Sequence, residues 1–386
     1  MITGIFIISC ASKPENTPNY VINIINGVEN IINNNEPSIP LEVMKINLKS
    51  TLTINGTSDS TDTSTFRTLS YFTIDLKGNI YIFDENLNKV FKFDNLGKFV
   101  KTFGGRGAGP GEFIAVGGIT CLNDTLFIVD SPVKKMNRFD TEGNFLNTSM
   151  IPGTPSLYNN FCTVNGMLLM QRLSIKKNEN NLEMYKLTEI RESNLKKLTL
   201  FDSSYVGYPP QTVKEELSIS RAIAANKNYF YIANKGDFLD YKIKVLNGNG
   251  EIQKIIKKKF SRLKISEKEL NQNIADLQDN GLLESKNDSE EYKLQTDYKP
   301  SIRWIFCDKL GRLWVNESRL IEDPADKKMK FSIFENGIYL NSILLNLDVT
   351  DPSMIYDVLS TCDLQFLGNK IYALNRNENR LTVYEY

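Results

Sequence analysis

The sequence contains no histidine among its 386 residues. Histidine is the commonest general base in enzymes and a frequent metal ligand, so its absence excludes Ser-His-Asp and Cys-His catalytic groups and every imidazole metal site. Basic and acidic residues balance at 46 each, so no net charge attracts nucleic acid, and we expect no nucleic-acid partner. The chemistry that remains open is that of oxygen ligands, which hold Ca²⁺ or a similar hard cation.

Long apolar runs are also lacking. Ile2 to Ile8 is apolar but far too short to span a bilayer, and Ser9 and Cys10 follow it. This pattern is typical of a bacterial lipoprotein signal that is cleaved before Cys10, whose thiol then receives the lipid. The alternative is a frayed N-terminus with a chance cysteine. The sequence thus predicts an outer-membrane lipoprotein of the cell envelope, attached to the membrane through this anchor alone.

What the chain does contain is one pattern written six times. Asp75 to Asp84 has the pattern of a turn followed by an apolar strand. Lys89 to Phe99 contains a further apolar strand and a second Gly-containing turn. Later copies of the first pattern begin at Asn123, Asn165, Asn226, Asp308 and Gly368. Short strands with Gly, Asn and Asp turns at such a period predict an all-β, six-bladed β-propeller with four antiparallel strands in each blade. We name the strands A to D from the central axis outward.

The sixth blade has only three strands in the sequence pattern, which end at Tyr386. Residues 41–48 (Leu-Glu-Val-Met-Lys-Ile-Asn-Leu) are predicted to supply its missing D strand and so to close the ring, which hides two sheet edges. The alternative places this segment on blade 1. The predicted organisation is a signal remnant over residues 1–10, a flexible tether over 11–40 and the propeller over 41–386.

Four further cysteines follow the repeat. Cys121, Cys162, Cys307 and Cys362 all fall on predicted A strands, each in a different blade. Their most economical interpretation is as small apolar packing residues, because a disulfide between them would have to cross blades. None has the paired C-x-x-C spacing of a zinc site.

The segment from Phe103 to Phe113 (Phe-Gly-Gly-Arg-Gly-Ala-Gly-Pro-Gly-Glu-Phe) resembles the inter-blade connection of NHL-type repeats. From about Phe66 onward the chain is similar to six-bladed β-propeller lipoproteins common in Bacteroidetes. This resemblance implies a fold and an envelope location, and it implies no reaction. The glycines themselves raise a phosphate site as an alternative for this segment, but no helix follows it to receive an anion, so we interpret it as a structural turn.

Polar residues at the ends of B strands are the candidate ligand-binding residues. In this topology the D–A connections and B–C loops share one face, here called the loop face, and the A–B and C–D turns share the other, the hairpin face. Two arginines just before A strands approach the loop face as well. The candidates are Asp84, Asp130, Arg172, Arg221, Asn234, Arg303, Asn316 and Asn375. The alternative is that the strand-end Asp and Asn only cap turns.

Two insertions are predicted beside the same face. Residues 261–299 contain the capping box Ser266-Glu-Lys-Glu269, which opens a short helix that should end at Gly281. Phe201 to Ser218 is the second. Loops on a rigid scaffold commonly carry specificity, although a helix here would also serve as a plug.

Two functional hypotheses follow. The preferred one is a non-catalytic binding or interaction propeller, a monomer without a cofactor, whose protein or glycan partner the sequence does not name. The alternative is a Ca²⁺-dependent hydrolase or lactonase similar to six-bladed gluconolactonases, which use Glu, Asn and Asp near the axis. The zinc-dependent amidating lyases among NHL-like propellers need histidine ligands, so the sequence excludes that activity.

Overall fold

The computed structural model describes residues 18–386 except for 45, 58, 60, 152–157, 165–166, 179–180, 193–197, 208–220, 236–238, 280–297, 321–327 and 350–363. Six antiparallel meanders form six sheets, and their innermost strands contact one another in ring order until the sixth meets the first. The structure therefore confirms the six-bladed propeller of four-stranded blades. The predicted lipidation site at Cys10 and the inner-strand Cys362 lie outside the described residues.

The strands of each blade run in sequence order from the axis outward. Blade 1 comprises β4 (Leu69–Ile74), β5 (Ile80–Asp84), β6 (Lys89–Phe93) and β7 (Phe99–Phe103). Blade 2 comprises β8 (Val116–Leu122), β9 (Thr125–Asp130), β10 (Lys135–Asp140) and β11 (Phe145–Met150). Blade 3 comprises β12 (Tyr158–Val164), β13 (Met167–Asn178), β14 (Asn181–Glu192) and β15 (Leu198–Gly207).

Blades 4 and 5 follow the same plan. Blade 4 comprises β16 (Arg221–Ala225), β17 (Phe230–Asn234), β18 (Lys242–Leu246) and β19 (Ile252–Lys258). Blade 5 comprises β20 (Ile302–Cys307), β21 (Leu313–Glu317), β22 (Met329–Glu335) and β23 (Ile338–Leu345). Blade 6 combines β24 (Leu364–Leu367), β25 (Lys370–Asn375) and β26 (Arg380–Glu385) with β3 (Lys49–Asn55) from the N-terminal region.

An N-terminal strand closes the ring as predicted, but it is not the predicted segment. β3 pairs antiparallel with β26, from Asn55 opposite Arg380 to Lys49 opposite Glu385. The segment proposed for this role instead begins with a short helix, α1 (Leu41–Met44), whose Met44 is buried against blade 5. The outermost strand of a blade buries few side chains, so β3 has little apolar alternation in its sequence. The more apolar residues 41–48 were therefore chosen wrongly.

The predicted flexible tether over residues 11–40 also contains regular structure. β1 (Tyr20–Ile25) and β2 (Val28–Asn33) form a hairpin, and β2 pairs in parallel with β19, so the sheet of blade 4 has six strands. Asn33 fixes the hairpin to blade 5 through hydrogen bonds to the Gly337 carbonyl (2.9 Å) and from the Tyr339 amide (2.8 Å). The described part of the N-terminal region, from residue 18 to β3, thus packs along blades 4, 5 and 6.

Turn chemistry explains why the repeat has its spacing. The Asp75 carboxylate accepts hydrogen bonds from the Lys77 and Asn79 amides, both at 2.9 Å, which closes the A–B turn of blade 1. It also accepts one from the Tyr81 hydroxyl, which donates to the Thr141 carbonyl of blade 2 as well. Asp308 organises the corresponding turn of blade 5 and accepts from the Trp314 indole at 3.0 Å. One acidic residue therefore shapes a turn and positions a buried aromatic side chain.

The apolar cores lie between neighbouring blades. Between blades 1 and 2, Phe83 packs edge-on against Phe113, with ring centroids 5.9 Å apart. Gly104 has φ +81°, and a Cβ there would come within 2.4 Å of the Phe113 ring. The Glu112 carboxylate accepts from the Gly109 amide within the same connection. The Gly-rich segment is therefore the structural turn that we interpreted it to be.

The two insertions have different outcomes. The second helix, α2 (Glu267–Asp279), starts at the predicted capping box, with the Glu269 amide donating to Ser266 Oγ at 3.2 Å. The first part of the other insertion, up to Gly207, instead belongs to strand β15, and its remainder lies outside the described residues. Neither described helix has the length and apolar content needed to cross a bilayer.

Candidate functional site

The predicted strand-end carboxylates of blades 1 and 2 hold the loop face together. Asp84 is fully buried, and its carboxylate accepts hydrogen bonds from the amides of Arg67 (2.5 Å), Thr68 (3.1 Å) and Leu87 (2.9 Å). Asp130 is equally buried and accepts from the amides of Ile114 (2.9 Å) and Ala115 (3.0 Å). In both blades the carboxylate ties the D–A connection to the end of strand B, which favours the capping interpretation for these two residues.

Asn375 of blade 6 has a similar structural environment. Its side chain donates to the Asp348 carboxylate at 2.7 Å and accepts from the Glu378 amide at 3.0 Å. Asp348 also accepts from Arg380 Nε at 2.5 Å and Thr382 Oγ1 at 2.8 Å. These hydrogen bonds, that of Arg380 foremost, outweigh partial burial and lower the pKa of Asp348 to about 2.

In blade 5 the strand-end position belongs to a residue that the sequence reading missed. Trp314 aligns with Tyr81, so Glu317, and not Asn316, corresponds to Asp84. Glu317 bonds to Lys258 Nζ at 2.6 Å and to Lys330 Nζ at 2.8 Å. Burial alone would raise the pKa of Glu317, but the two ammonium groups outweigh burial and lower it. The Asn316 amide donates to the Lys330 carbonyl at 3.1 Å.

The remaining four candidates are placed as follows. Arg221 lies at the start of β16, opposite Asn234 at the end of β17, and both side chains are half-buried. Arg303 is the second residue of β20, and its side chain is also half-buried. Arg172 lies within the long strand β13 rather than at its end, and its side chain is outside the described part of the structure. A ligand-binding role for any of the eight candidates stays a prediction.

A cavity of about 310 Å³ occupies the central channel, and none of the seven candidates whose side chains are described lines it. Its described walls come mainly from the A strands of blades 1, 2, 4, 5 and 6, from near the middle of the strand to the A–B turn in the first four and from the whole strand in blade 6, where Leu374 of strand B also contributes. Leu76, in the A–B turn of blade 1, is 76% exposed and also lines the cavity. The cavity therefore extends to the hairpin face, opposite to the face where we predicted a site.

One level of the channel can be identified from strand register. In blade 1, Ile74 of strand A lies opposite Ile80 of strand B. The level consists of Ile74 and the A-strand residues with described side chains that occupy the equivalent position in the other blades. These residues are Ile74, Cys121, Ala225, Cys307 and Phe366, and all five line the cavity. Every member is uncharged, so this level forms an apolar collar within the channel.

Both described inner-strand cysteines, Cys121 and Cys307, belong to this collar. They pack against the inter-blade cores, which confirms the packing role predicted for Cys121 and Cys307. Burial, with the nearby Asp75 carboxylate, raises the pKa of the Cys121 thiol to about 12, so it is neutral and weakly nucleophilic at physiological pH. The side chain of Cys162 is outside the described residues.

Aromatic side chains form much of the remaining wall. Trp304, Phe306 and Phe366 line the cavity, and the rings of the last two stack with centroids 5.1 Å apart. Lys235 Nζ lies 2.9 Å from the centroid of the Trp304 ring, a cation–π contact that holds the indole in place. The sequence signal for this wall was the apolar composition of the inner strands, of which we had interpreted only the cysteines, as packing residues.

Comparison with known proteins agrees with this architecture. Residues 56–203 match the model of a family described as a 6-bladed beta-propeller. This protein is a six-bladed β-propeller. No curated protein matches the sequence.

Similar solved structures include an exported protein from Bacteroides fragilis, with 13% identity over 92% of this chain and 98% of that one and a TM-score of 0.50. A Bacteroides vulgatus protein has 11% identity, coverage of 88% and 97%, and a TM-score of 0.49. Virginiamycin B lyase from Staphylococcus aureus has 13% identity, coverage of 88% and 100%, and a TM-score of 0.45. At these identities the likeness concerns the fold alone.

Proposed function

We propose that this propeller is a non-catalytic binding protein of the cell envelope that takes its ligand into the central channel from the hairpin face. The observation that carries the proposal is the cavity itself, which extends from the middle of the inner strands to the exposed Leu76. Concave, largely apolar and pre-formed sites are where proteins bind small ligands. Its walls belong to inner strands of a closed ring, so the site is rigid before a ligand arrives.

The Ca²⁺-dependent hydrolase hypothesis has weaker support in the described residues. A calcium site needs six to eight oxygen ligands directed at one point. The carboxylates of Asp84 and Asp130 are directed at backbone amides, and Glu317 is directed at two lysines. Among the residues that the structure describes, no group of three or more acidic or cysteine side chains is arranged to hold a metal ion. This donor set does not fit calcium.

An envelope location is part of the proposal. The lipoprotein-like sequence at Ile7-Ile8-Ser9-Cys10 supports it, as does the similarity to a Bacteroides protein whose name describes it as exported. We expect the Cys10→Ala variant to move from the membrane fraction to the soluble fraction with an unchanged melting temperature. A variant that still sediments with membranes after this change would rule out the anchor.

The binding function can be tested without knowing the ligand. Wild-type protein, an Ala225→Trp variant that fills the collar and an Arg221→Ala variant at the loop face are exposed to an envelope extract. Compounds retained by each folded protein are then measured by mass spectrometry. We expect retention by the wild type and by Arg221→Ala, and loss of retention in Ala225→Trp. Loss in Arg221→Ala with retention in Ala225→Trp would place the site at the loop face and overturn the proposal.

A further inference from the structure

The inner strands are almost free of charge. The six inner strands are β4, β8, β12, β16, β20 and β24. They contain two side chains that are charged at neutral pH, Arg221 and Arg303. Each lies within the first two residues of its strand, at the loop end of the channel, and neither lines the cavity. This pattern includes blade 3, whose β12 reads Tyr-Asn-Asn-Phe-Cys-Thr-Val. The described cavity wall likewise contains no Lys, Arg, Asp or Glu.

This lack of charge limits what the channel can hold. A charged ligand would lose its hydration on entering and would find no counter-charge among the described wall residues, so desolvation would oppose its binding. Among the polar side chains of the wall, the Gln365 amide already donates to the Phe72 carbonyl at 2.8 Å, whereas half-buried Tyr71 adds a phenol to the wall. Thr73 and Thr120 offer hydroxyl groups but are almost fully buried.

The wall favours aromatic partners instead. Trp304 and Phe366 are half-buried and line the cavity, so part of each ring is available to a ligand. Offset-stacked and edge-to-face aromatic pairs stabilise a complex beyond the effect of their buried area. A cavity of about 310 Å³ lies at the lower end of the range for small-molecule sites.

We propose that the channel cavity, which opens at the hairpin face, binds a small, uncharged aromatic molecule, with Trp304 on the loop side of the collar and Phe366 in the collar as the contact surfaces and Ala225 of the collar as the narrow seat. This inference rests on the proposed channel-binding function and names its ligand class.

The test uses two fluorescent probes that share one ring system. Phenylnaphthylamine is neutral, and anilinonaphthalenesulfonate adds a sulfonate to the same rings, so the pair differs chiefly in charge. With the purified full chain we expect saturable binding of the neutral probe at one site per protein. The anionic probe should bind at least about tenfold more weakly, a difference of about 1.4 kcal/mol. Equal or tighter binding of the anionic probe would overturn the inference.

Variants then locate the neutral probe. Trp304→Ala should weaken its binding about tenfold, whereas Trp304→Phe, which keeps an aromatic wall, should weaken it no more than about threefold. Ala225→Trp should abolish saturable binding. Leu96→Trp adds the same indole at an exposed turn of the hairpin face and should leave binding unchanged. Melting temperatures are measured for each variant, and unchanged probe binding in folded Ala225→Trp would overturn the inference.

The outcomes separate this inference from the proposed function. If the neutral probe fails to bind while Ala225→Trp still abolishes retention of envelope compounds, the channel is a binding site and the ligand class is wrong. If Ala225→Trp changes neither probe binding nor retention, both proposals are wrong. If the probe binds in the collar but retention depends on Arg221, the ligand class of the cavity stands and the proposed functional site is wrong.

Discussion

The two ends of the central channel use their residues in opposite ways. At the loop end, charged groups are numerous and committed to structure: Asp84 and Asp130 bind backbone amides, and Glu317 pairs with Lys258 and Lys330. At the hairpin end the channel wall is uncharged and encloses the cavity. The difference teaches that, in a propeller, polar residues near the axis are weak evidence for a site until their hydrogen bonds have been assigned.

Opening the ring would have the largest effect on this comparison, because both channel ends require a closed ring. Deleting residues 1–55 removes β3 and uncovers the apolar side of β26, including the contacts of Ile54 with the core of blades 6 and 1. We expect loss of a cooperative thermal transition or a fall in melting temperature of more than about 10 °C.

Deleting residues 1–34 provides the matched control, because it removes β1, β2 and the Asn33 hydrogen bonds but keeps β3. Its transition should stay cooperative with a smaller fall. Equal melting temperatures for the two truncated proteins would contradict closure by β3. Calorimetry or far-ultraviolet circular dichroism measures both.

Removing one buried carboxylate at each end tests whether these groups are structural. Asp84→Ala leaves three backbone amides without an acceptor, and Asp75→Ala leaves the Lys77 and Asn79 amides of the A–B turn without theirs. Each should lower the free energy of unfolding by about 3 kcal/mol, measured by denaturant titration. If Asp84→Ala were stable but lost ligand retention, Asp84 would be a site residue and the contrast between the ends would fail.

A change at Asp348 should give a smaller and pH-dependent effect. Its pKa of about 2 in the folded protein is below the ordinary 3.8, so the carboxylate stabilises the fold above pH 3.8, and this stabilisation is lost as the pH falls through 2. Asp348→Asn should lower the melting temperature by about 3 °C at pH 7, and the gap from wild type should close toward pH 2. A gap that is independent of pH would contradict the assigned interaction with Arg380.

The smallest expected effect tests where the cavity opens on the hairpin face. Leu76 and Leu96 are both exposed leucines in turns of this face, at 76% and 80%, but of the two Leu76 alone lines the cavity. Leu76→Ser should weaken binding of the neutral probe about threefold, and Leu96→Ser should not change it. Neither should alter stability by more than about 0.5 kcal/mol. Equal effects on binding would place the channel opening elsewhere.

The sequence predicted most of the ring because each blade follows local rules. Asp75 and Asp308 begin turns whose spacing to the next strand is the same, so strand type and order could be read directly. Ring closure by an N-terminal strand was also predictable from the three-stranded last blade. The choice of strand was not, because β3 fully buries Ile54 alone and shows little apolar alternation.

The site was harder to predict for a physical reason. Sequence patterns show where polar residues occur but not which hydrogen bonds they make, so Asp84 looked available although its carboxylate is fully used. In blade 5 the prediction selected Asn316. Trp314 occupies the position that Tyr81 has in blade 1, and this equivalence makes Glu317 the strand-end residue. The cavity depends on how far inner strands from five blades lie from one another, and no single repeat contains that information.

The pairing of β3 with β26 has a consequence for the life of the polypeptide before it folds. β3 precedes five complete blades and β26 follows them, so no stage of synthesis before β26 can complete the last sheet. Until then the ring of blades is open between blade 6 and blade 1. The contacts between β3 and β26 are distant in sequence, and such contacts form slowly. The export that we propose requires such an open chain, because a closed ring would not pass through a translocation pore.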